Sequence, residues 1–337
     1  MQILKNEDYK LFEQLVSLSQ AGMLKVMGSY LEAKYDKVIK TDEYIVAIGT
    51  IPIALVAHMD TVFKYPVDNM YYDQRKGVLW SPEGLGADDR AGIFAIIQII
   101  KSGLRPSIIL TTDEEIGAQG ASALAEKECP IPGLKYMIQL DRHGTNDCVF
   151  YDCYNPKFIQ YVESFGFVEK WGSFSDISVL MPAWKICGVN LSVGYEDEHS
   201  VSETLFIAPL FDTIRKVKKM LQVKKVPNFK YEELKAYWYP DWGPIVTNTT
   251  TAAPVKNAEE VTVYGAHCTG CKKLFSEYEM YPAKSKNQTV RLYCPDCIVD
   301  KVSWCERCGE AFEITSSPSA CKCADCYALS TTDKKEK

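Results

Sequence analysis

Five short motifs bearing acids and histidines follow one another between positions 58 and 199. They read His58-Met59-Asp60, Gly86-Ala87-Asp88-Asp89-Arg90, Asp113-Glu114-Glu115, Leu140-Asp141 and Glu198-His199. Each falls where an apolar run stops. Together they supply two histidines, three carboxylates able to bind metal and a spare glutamate, enough for two metal ions with a water between them. A histidine at a strand end offers a neutral nitrogen ligand. Asp60, two residues after His58, is placed to take the other ring N–H. Asp88, in a glycine-flanked turn, has two oxygens with which to bridge a pair of ions. Two ions roughly 3.5–4 Å apart can share a water and stabilise the charge that develops in hydrolysis. Of two adjacent glutamates, one can bind metal while the other, as a free carboxylate, acts as general base on that water. Each piece alone has a plain structural explanation: a strand-end histidine usually sits in a core or loop, and an Asp-Glu-Glu run is usually a solvated turn. The order of the five, their strand-end positions and their flanking glycines together point to a dinuclear site.

Those motifs need a scaffold, and the hydrophobic pattern supplies one. Residues 7–33 have helical spacing, with Leu11, Leu15 and Leu18 near one face and Asn6 as a cap. Val38 to Ile48 reads as a strand, and Ile53 to Ala57 as a short buried strand ending at His58. Ala91 to Ile100 is an apolar run long enough for a buried helix. Ser107–Thr112, Tyr136–Leu140 and Val189–Val193 are further strands, the first two ending at Asp113 and Asp141. Residues 118–127 and 204–223 read as helices, the latter with Arg215, Lys216, Lys218 and Lys219 on a solvated face. Strands alternating with helices predict an α/β fold, a mixed, mostly parallel sheet flanked by helices. Sites in such sheets form outside the carboxyl ends of the strands, which is where His58, Glu114, Glu115 and Asp141 fall.

The motifs His58-Met59-Asp60-Thr61, Gly86-Ala87-Asp88-Asp89-Arg90-Ala91-Gly92, Asp113-Glu114-Glu115-Ile116-Gly117 and Glu198-His199-Ser200 resemble those of the co-catalytic zinc peptidases. That clan holds zinc aminopeptidases, peptidase T-like enzymes and glutamate carboxypeptidase-like enzymes, and the match spans roughly residues 5–223. The resemblance implies one zinc on His58, Asp88 and Asp141, and a second on Asp88, Glu115 and His199. It also implies Glu114 as general base and proton donor to the leaving amine, Asp60 as the group orienting His58, and a cis peptide between Asp88 and Asp89. Cobalt or manganese also suits such a donor set. The sequence departs from the pattern in its short gaps. Only 57 residues separate Asp141 from His199, and 29 separate His58 from Asp88, so neither insertion known in the clan has room. The layout is closest to the lidless zinc aminopeptidases, whose Ser-Asp element resembles Ser175-Asp176. Arg142 is expected in a structural salt bridge rather than on a substrate carboxylate, and His143 in a structural or outer role.

Thirteen cysteines are present, nine of them within residues 268–326. Cys268-x-x-Cys271, Cys294-x-x-Cys297, Cys305-x-x-Cys308 and Cys323-x-x-Cys326 form four pairs separated by 22, 7 and 14 residues. Four thiolates around one ion make a closed structural zinc site, so the eight predict two structural zincs. Consecutive pairing would give a double zinc-ribbon-like domain, and alternating pairing a cross-braced module. Cys321 competes with Cys323, and His267 could replace a cysteine. A segment with so few large aliphatic side chains needs such staples. Cys129, Cys148, Cys153 and Cys187 read as plain buried or half-buried thiols.

A chain of 337 residues, 47% hydrophobic and 24% charged, has the composition of a soluble protein, and its net charge of −6 opposes a whole-protein nucleic-acid footprint. From Val261 onward there are 11 basic and 10 acidic residues, which leaves no basic patch. No run is long enough to span a membrane, and the first residues do not read as a signal peptide. The expected location is the cytoplasm. The expected organisation is a catalytic domain over 1–225, a connector over 226–260 with its aromatic half packed back, a cysteine-rich domain over 261–330 and a tail over 331–337. The expected function is hydrolysis of peptide bonds by a dinuclear zinc aminopeptidase. A carboxypeptidase, dipeptidase or amide deacylase is the alternative within the same chemistry. A different reading makes the first domain an inactive scaffold that recruits a protein partner through its zinc ribbons, and the retained Glu114 argues against it.

Overall fold

The computed structural model describes residues 4–233 and, beyond them, 265–276, 281–285, 290–293, 297, 301–304 and 311–316. The chain divides into two units, Met1–Lys235 and Ala236–Lys337. The first unit contains helices α1 (Asn6–Val16), α2 (Gln20–Glu32), α3 (Ala87–Lys101), α4 (Gln119–Ala125), α5 (Pro156–Glu163), α6 (Asp176–Trp184) and α7 (Ile207–Leu221). Its strands are β1 (Val38–Lys40), β2 (Tyr44–Ala47), β3 (Ile51–His58), β4 (Tyr71–Asp73), β5 (Val78–Trp80), β6 (Pro106–Thr111), β7 (Tyr136–Arg142), β8 (Asp147–Val149), β9 (Val168–Glu169), β10 (Cys187–Ser192), β11 (Tyr195–Glu196) and β12 (Thr204–Phe206).

Eight strands form one sheet in the order β1-β2-β6-β3-β7-β10-β8-β9. Its centre, β6-β3-β7-β10, is parallel, and antiparallel pairs join it to β2 on one side and β8 on the other. The four central strands are buried along nearly their whole length, which is why they read as continuous apolar runs rather than alternating ones. Helix α3 is buried at every position from Ala91 to Ile97, and it packs on β3 and β7. Phe94 sits edge-on to both Phe12 of α1 and Phe211 of α7, at 5.7 and 6.0 Å between ring centres. On the opposite face α6 packs with α4. Gly188 leaves room there for Met181, whose sulfur would lie 3.0 Å from any added Cβ.

Local chemistry explains where the structure departs from the simple pattern. The helical stretch at 7–33 is two helices, because Ser19 caps a new start by accepting a hydrogen bond from the backbone of Gly22. Asn6 is inside α1 and makes no cap; Lys5 holds that position without a side-chain bond. The single strand expected over Val38–Ile48 is a hairpin, β1 with β2, turned by Thr41, whose hydroxyl accepts from Glu43 and Tyr44 N–H. The last helix starts at Ile207, after the short strand β12. Lys216 does not face solvent. Its Nζ donates to the Gly166 carbonyl at 2.9 Å, pairs with Asp212 at 3.0 Å and lies 4.5 Å from the centre of the Phe167 ring. A long lysine stem can lie buried when its ammonium finds such partners.

Residues 226–233, at the start of the segment expected as a connector, belong to the first unit and pack on its earlier part. Phe229 lies 4.9 Å from Phe158 and 5.3 Å from Tyr161, while Tyr154 N–H and the Asn155 side chain bond to the Glu232 and Lys230 carbonyls. A second, four-stranded sheet, β11-β12-β5-β4, carries His199 in the loop between its first two strands. In the other unit, β13 (Gly265–His267) pairs with β14 (Leu274–Ser276). Strands β15 (Tyr281–Lys284), β16 (Val290–Tyr293), β17 (Val302–Trp304) and β18 (Ala311–Glu313) form a sheet ordered β16-β15-β18-β17. Its small core joins Cys268, Ala283, Tyr293 and Val302.

Candidate metal centre

The five motifs, spread over more than 140 positions of sequence in order, meet at the carboxyl edge of the parallel strands. His58 ends β3, Glu114 and Glu115 follow β6, and Asp141 lies near the end of β7. Ligand atoms of His58, Asp88 and Asp141 lie within 4.8 Å of one another, and so do those of Asp88, Glu115 and His199. The two groups share Asp88. One of its oxygens is 3.0 Å from His58 Nε2 and the other 3.2 Å from His199 Nε2. His58 Nε2 is also 3.4 Å from Asp141, and His199 Nε2 is 3.0 Å from Glu115.

Asp60 lies beside His58. Its carboxylate is 3.2 Å from His58 Nδ1, and it also accepts the backbone N–H of Glu114 and Glu115 at 3.1 and 3.0 Å. One residue thus fixes the ring of His58 and the turn that presents both glutamates. The Asp88–Asp89 peptide is cis. Asp89 is not turned to the metal-binding groups; it accepts the N–H of Gly92 at 2.8 Å and of His58 at 3.3 Å, tying α3 to β3. Gly92 is obligatory there, because an added Cβ would fall 2.2 Å from the Leu140 carbonyl oxygen.

Of the residues that support these groups, Ser175, Asp176 and Arg90 stood in motifs, whereas Glu203, Gln139, Asn190 and Tyr195 carried no signal in the sequence. Glu203, 1% exposed, accepts the backbone N–H of Gly86 and, at 3.0 Å, of Asp88, so it holds the turn that aims Asp88. Asp141 is steadied by Gln139 and Ser175 at one oxygen and by the Tyr195 hydroxyl at the other, while Asn190 bonds both its N–H and its carbonyl. Asp176 is fully buried, accepts from Thr111 Oγ1 at 2.6 Å, and leaves its other oxygen without a partner. Arg90 donates to the Met59 and Leu18 carbonyls. These contacts join positions up to 117 residues apart, so no local pattern could announce them. His143 is 2.6 Å from Glu198, an outer pair rather than a member of either group. Arg142, expected in a salt bridge, has no ion pair among the described residues, and its Nε is buried without a partner.

The electrostatics of this cluster call for cations. Carboxyls of Asp60, Asp88, Glu114, Glu115, Asp141 and Asp176 crowd round two imidazoles. Burial, opposed by His58 and reinforced by Asp141, Asp176 and Asp88, pushes Glu114 up to about 9. Burial and the charge of Asp88 bring Glu115 to about 7 and Asp141 to about 6. Burial also works against ionised Asp88, but its bonds to His199 and His58 hold it well below the usual carboxylate range. The bond to Asp88 lifts His199 to about 9. Like-charged carboxylates with so little compensation are unfavourable unless positive charge is added. Glu115 also has a buried oxygen, Oε1, with no hydrogen-bond partner. An orphaned carboxylate oxygen among imidazole nitrogens and other carboxylates suits divalent ions of the zinc type.

In the second unit, Cys268, Cys271 and Cys297 bring their sulfurs within 4.8 Å of one another, a further group able to hold a metal. Gly270 permits this approach, since a Cβ there would meet Cys297 Sγ at 2.8 Å. Cys294, Cys305, Cys308, Cys323 and Cys326 lie outside the described residues. Cys148, Cys153 and Cys187 are buried and Cys129 is half-buried. No helix among the described residues is long and apolar enough to cross a membrane.

No family model and no curated protein matches this chain. Solved structures do. A tripeptidase from Staphylococcus aureus superposes with a TM-score of 0.53 at 14% identity, covering 66% of this chain and 99% of that one. A TET aminopeptidase from a marine-sediment Thaumarchaeota archaeon gives 0.52 at 13% identity, covering 66% and 98%. At that identity the likeness establishes the fold: the first unit is built like these peptidases.

Proposed function

We propose that this protein is a metal-dependent exopeptidase, an aminopeptidase with two ions, zinc by preference, and that it acts on peptides in the cytoplasm. The observation that carries this reading is the shared carboxylate of Asp88, with a histidine on each of its oxygens and Glu114 beside them. His58, Asp88 and Asp141 would hold one ion, and Asp88, Glu115 and His199 the other. Bound there, the ions would supply Lewis acidity, activating water and polarising the carbonyl to be cut.

The chain's own residues do the rest. Glu114 lies in this cluster without a metal-binding role, and its raised pKa suits a carboxyl that takes a proton from the attacking water and returns it to the leaving amine. Asp60 keeps His58 in one tautomer by holding Nδ1, leaving Nε2 free to ligate. Glu203 keeps Asp88 aimed at both histidines, and Ser175, Tyr195 and Gln139 fix the carboxylate of Asp141. The TET aminopeptidase and tripeptidase folds support the choice of peptides as substrates. In the second unit, Cys268, Cys271, Cys294 and Cys297 would bind a structural zinc, a consecutive pairing supported by Cys297 lying against the first pair.

The test is an assay of metal-loaded protein on free-amino peptides and N-acyl amides, beside Glu114→Ala. We expect release of N-terminal residues and a loss of roughly 10²–10⁴-fold in kcat for the variant. Turnover unchanged by Glu114→Ala would overturn the mechanism, and cleavage confined to N-acyl amides would reassign the substrate class.

A further inference from the structure

The carboxylate of Asp141 is held by more than its direct neighbours. Its Oδ2 accepts from Ser175 Oγ at 3.1 Å and from Gln139 Nε2 at 3.0 Å, which leaves Oδ1 facing His58 Nε2 at 3.4 Å and the Tyr195 hydroxyl at 3.3 Å. Behind Ser175 lies Tyr151. Its phenol oxygen is 3.0 Å from Asn190 Nδ2 and in hydrogen-bond contact with the Ser175 hydroxyl. The ring reaches this place from the turn after β8, where the Phe150 carbonyl accepts the N–H of Cys153 at 3.0 Å. Tyr151 takes a φ of +51 there, a left-handed conformation unfavourable to a residue with a Cβ, and such strain persists where the surroundings demand it. Gly172, in the segment leading to Ser175, leaves room for the ring, since an added Cβ would lie 3.4 Å from Tyr151 Cε1 and 2.8 Å from Val149 Cγ1.

Chemistry fixes the direction of each of these bonds. The Asp141 N–H donates to Asn190 Oδ1 at 3.0 Å, so the other end of that amide is the NH2. Its two hydrogens serve the Asp141 carbonyl at 2.9 Å and the Tyr151 oxygen at 3.0 Å, with a longer contact of 3.3 Å to Ser175 Oγ. A carboxylate only accepts, so the single hydrogen of Ser175 is committed to Asp141. Between the two hydroxyls the donor must then be Tyr151. Burial, opposed by the bond from Asn190 and reinforced by the charge of Asp141, pushes the phenol up from the ordinary tyrosine value, so its proton stays in place. The result is a closed circuit running one way: Asp141 N–H to Asn190, Asn190 to Tyr151, Tyr151 to Ser175, and Ser175 back to the Asp141 carboxylate. Bonds in such a chain polarise one another. Ser175 and Asn190 are 0% and 1% exposed, so bulk water does not replace a bond that is lost.

We infer that Tyr151 is a positioning residue for one of the two metal sites and not for the other. It is separated from the ion by Ser175 and Asp141. By donating to Ser175 it holds that hydroxyl on Oδ2, and so keeps Oδ1 of Asp141 turned to the ion that His58, Asp88 and Asp141 would hold. The assignment rests on the two-ion reading above and adds an asymmetry to it, because the circuit has no member among Asp88, Glu115 and His199. Loss of a partner behind a metal ligand costs about 10–100-fold in affinity. Tyr151→Phe, one bond further out, is expected to weaken one of the two binding steps by about 10-fold.

The experiment titrates metal-free, full-length protein with cobalt against a competing chelator, for the wild type, Tyr151→Phe, Ser175→Ala and the double variant. Cobalt suits the donor set, and its charge-transfer absorption with thiolates tells ions on the second unit from those on the first. Tyr151→Phe should weaken one step by about 10-fold and leave the other unchanged. Ser175→Ala should weaken the same step, and the double variant should be no weaker than Ser175→Ala alone, because Tyr151 acts through that hydroxyl. Glu203→Gln, which acts on the shared Asp88, is the comparison that weakens both steps. Equal weakening of both steps by Tyr151→Phe, no weakening, or additive effects of the two substitutions would overturn the assignment and leave the two-ion reading standing. Fewer than two cobalt ions on the first unit of the wild type would overturn that reading, and this one with it. If Tyr151→Phe does not fold, proton NMR of the wild type decides: a Tyr151 hydroxyl proton donated to Ser175 is protected from exchange and loses that protection in Ser175→Ala, whereas free exchange in the wild type would overturn the assignment.

Discussion

Stripping the metals should reverse the ordinary gain in stability on going from pH 5 to 7. Buried carboxyls carry the effect, among them Asp141 at about 6 and Glu115, Glu203 and Asp176 at about 7, each raised chiefly by burial above ordinary values of 3.8 for aspartate and 4.5 for glutamate. Between pH 5 and 7 the folded chain therefore holds protons that the unfolded chain has released. A raised folded-state pKa contributes stability below the unfolded pKa and loses it as pH rises through the folded one. His199, lifted to about 9, acts in the same direction, but it is 52% exposed and adds nothing to the magnitude used here. Even one net proton corresponds to about 1.4 kcal/mol per pH unit, so roughly 3 kcal/mol over two units. For a unit of this size, Met1–Lys235, each kcal/mol moves Tm by about 2–4 °C. The chelated protein should accordingly melt roughly 6–12 °C lower at pH 7 than at pH 5. Zinc at stoichiometric excess should remove the trend, because the ligands bind metal deprotonated and metal affinity grows with pH. Scanning calorimetry of full-length protein at pH 5, 6 and 7, with chelator and with zinc, reads both. A chelated protein whose Tm is flat or rises over that interval would refute the argument that these carboxyls are crowded without compensation.

Two further perturbations follow from single contacts. Glu203→Gln keeps the shape of the side chain but offers one acceptor where two backbone N–H groups now bond, so metal affinity, measured by competition with a chelator, should fall by about 10–100-fold with the far-UV spectrum unchanged. Cys271→Ser and Cys297→Ser should each lower the zinc content by the same one ion when metal is counted by emission spectroscopy, whereas retention of that ion in either variant would separate Cys297 from the first pair.

The motifs were legible because candidate ligands of this kind sit at strand ends, and the strands β3, β6, β7 and β10 are short apolar runs that break abruptly at polar residues. The same runs gave the α/β class and its mostly parallel sheet. Helices α5 and α6 were not legible. Helix α5 has only eight residues, although its Asn155 cap, its Pro156 start and its amphipathic face are local signals, whereas α6 carries Pro182 inside it with a nearly continuous apolar sequence and shows no clear helical stripe. The second sheet is built from strands of two or three residues, too short for alternation to show. Lys216 reads as a solvated residue by its type, and only the Gly166 carbonyl and the Phe167 ring explain its burial.

The sequence by itself determined the donor types, their order and the short gaps that leave no room for an inserted lid, since these depend only on chemistry and spacing. Tertiary structure decided how those donors are held. It showed that Asp88 meets a different histidine with each oxygen, and that Glu203 and Asp60 lock the turns behind it. The physical reason is range. A ligand motif is written in neighbouring residues, whereas a buried carboxylate is oriented by partners that only folding brings within hydrogen-bond distance.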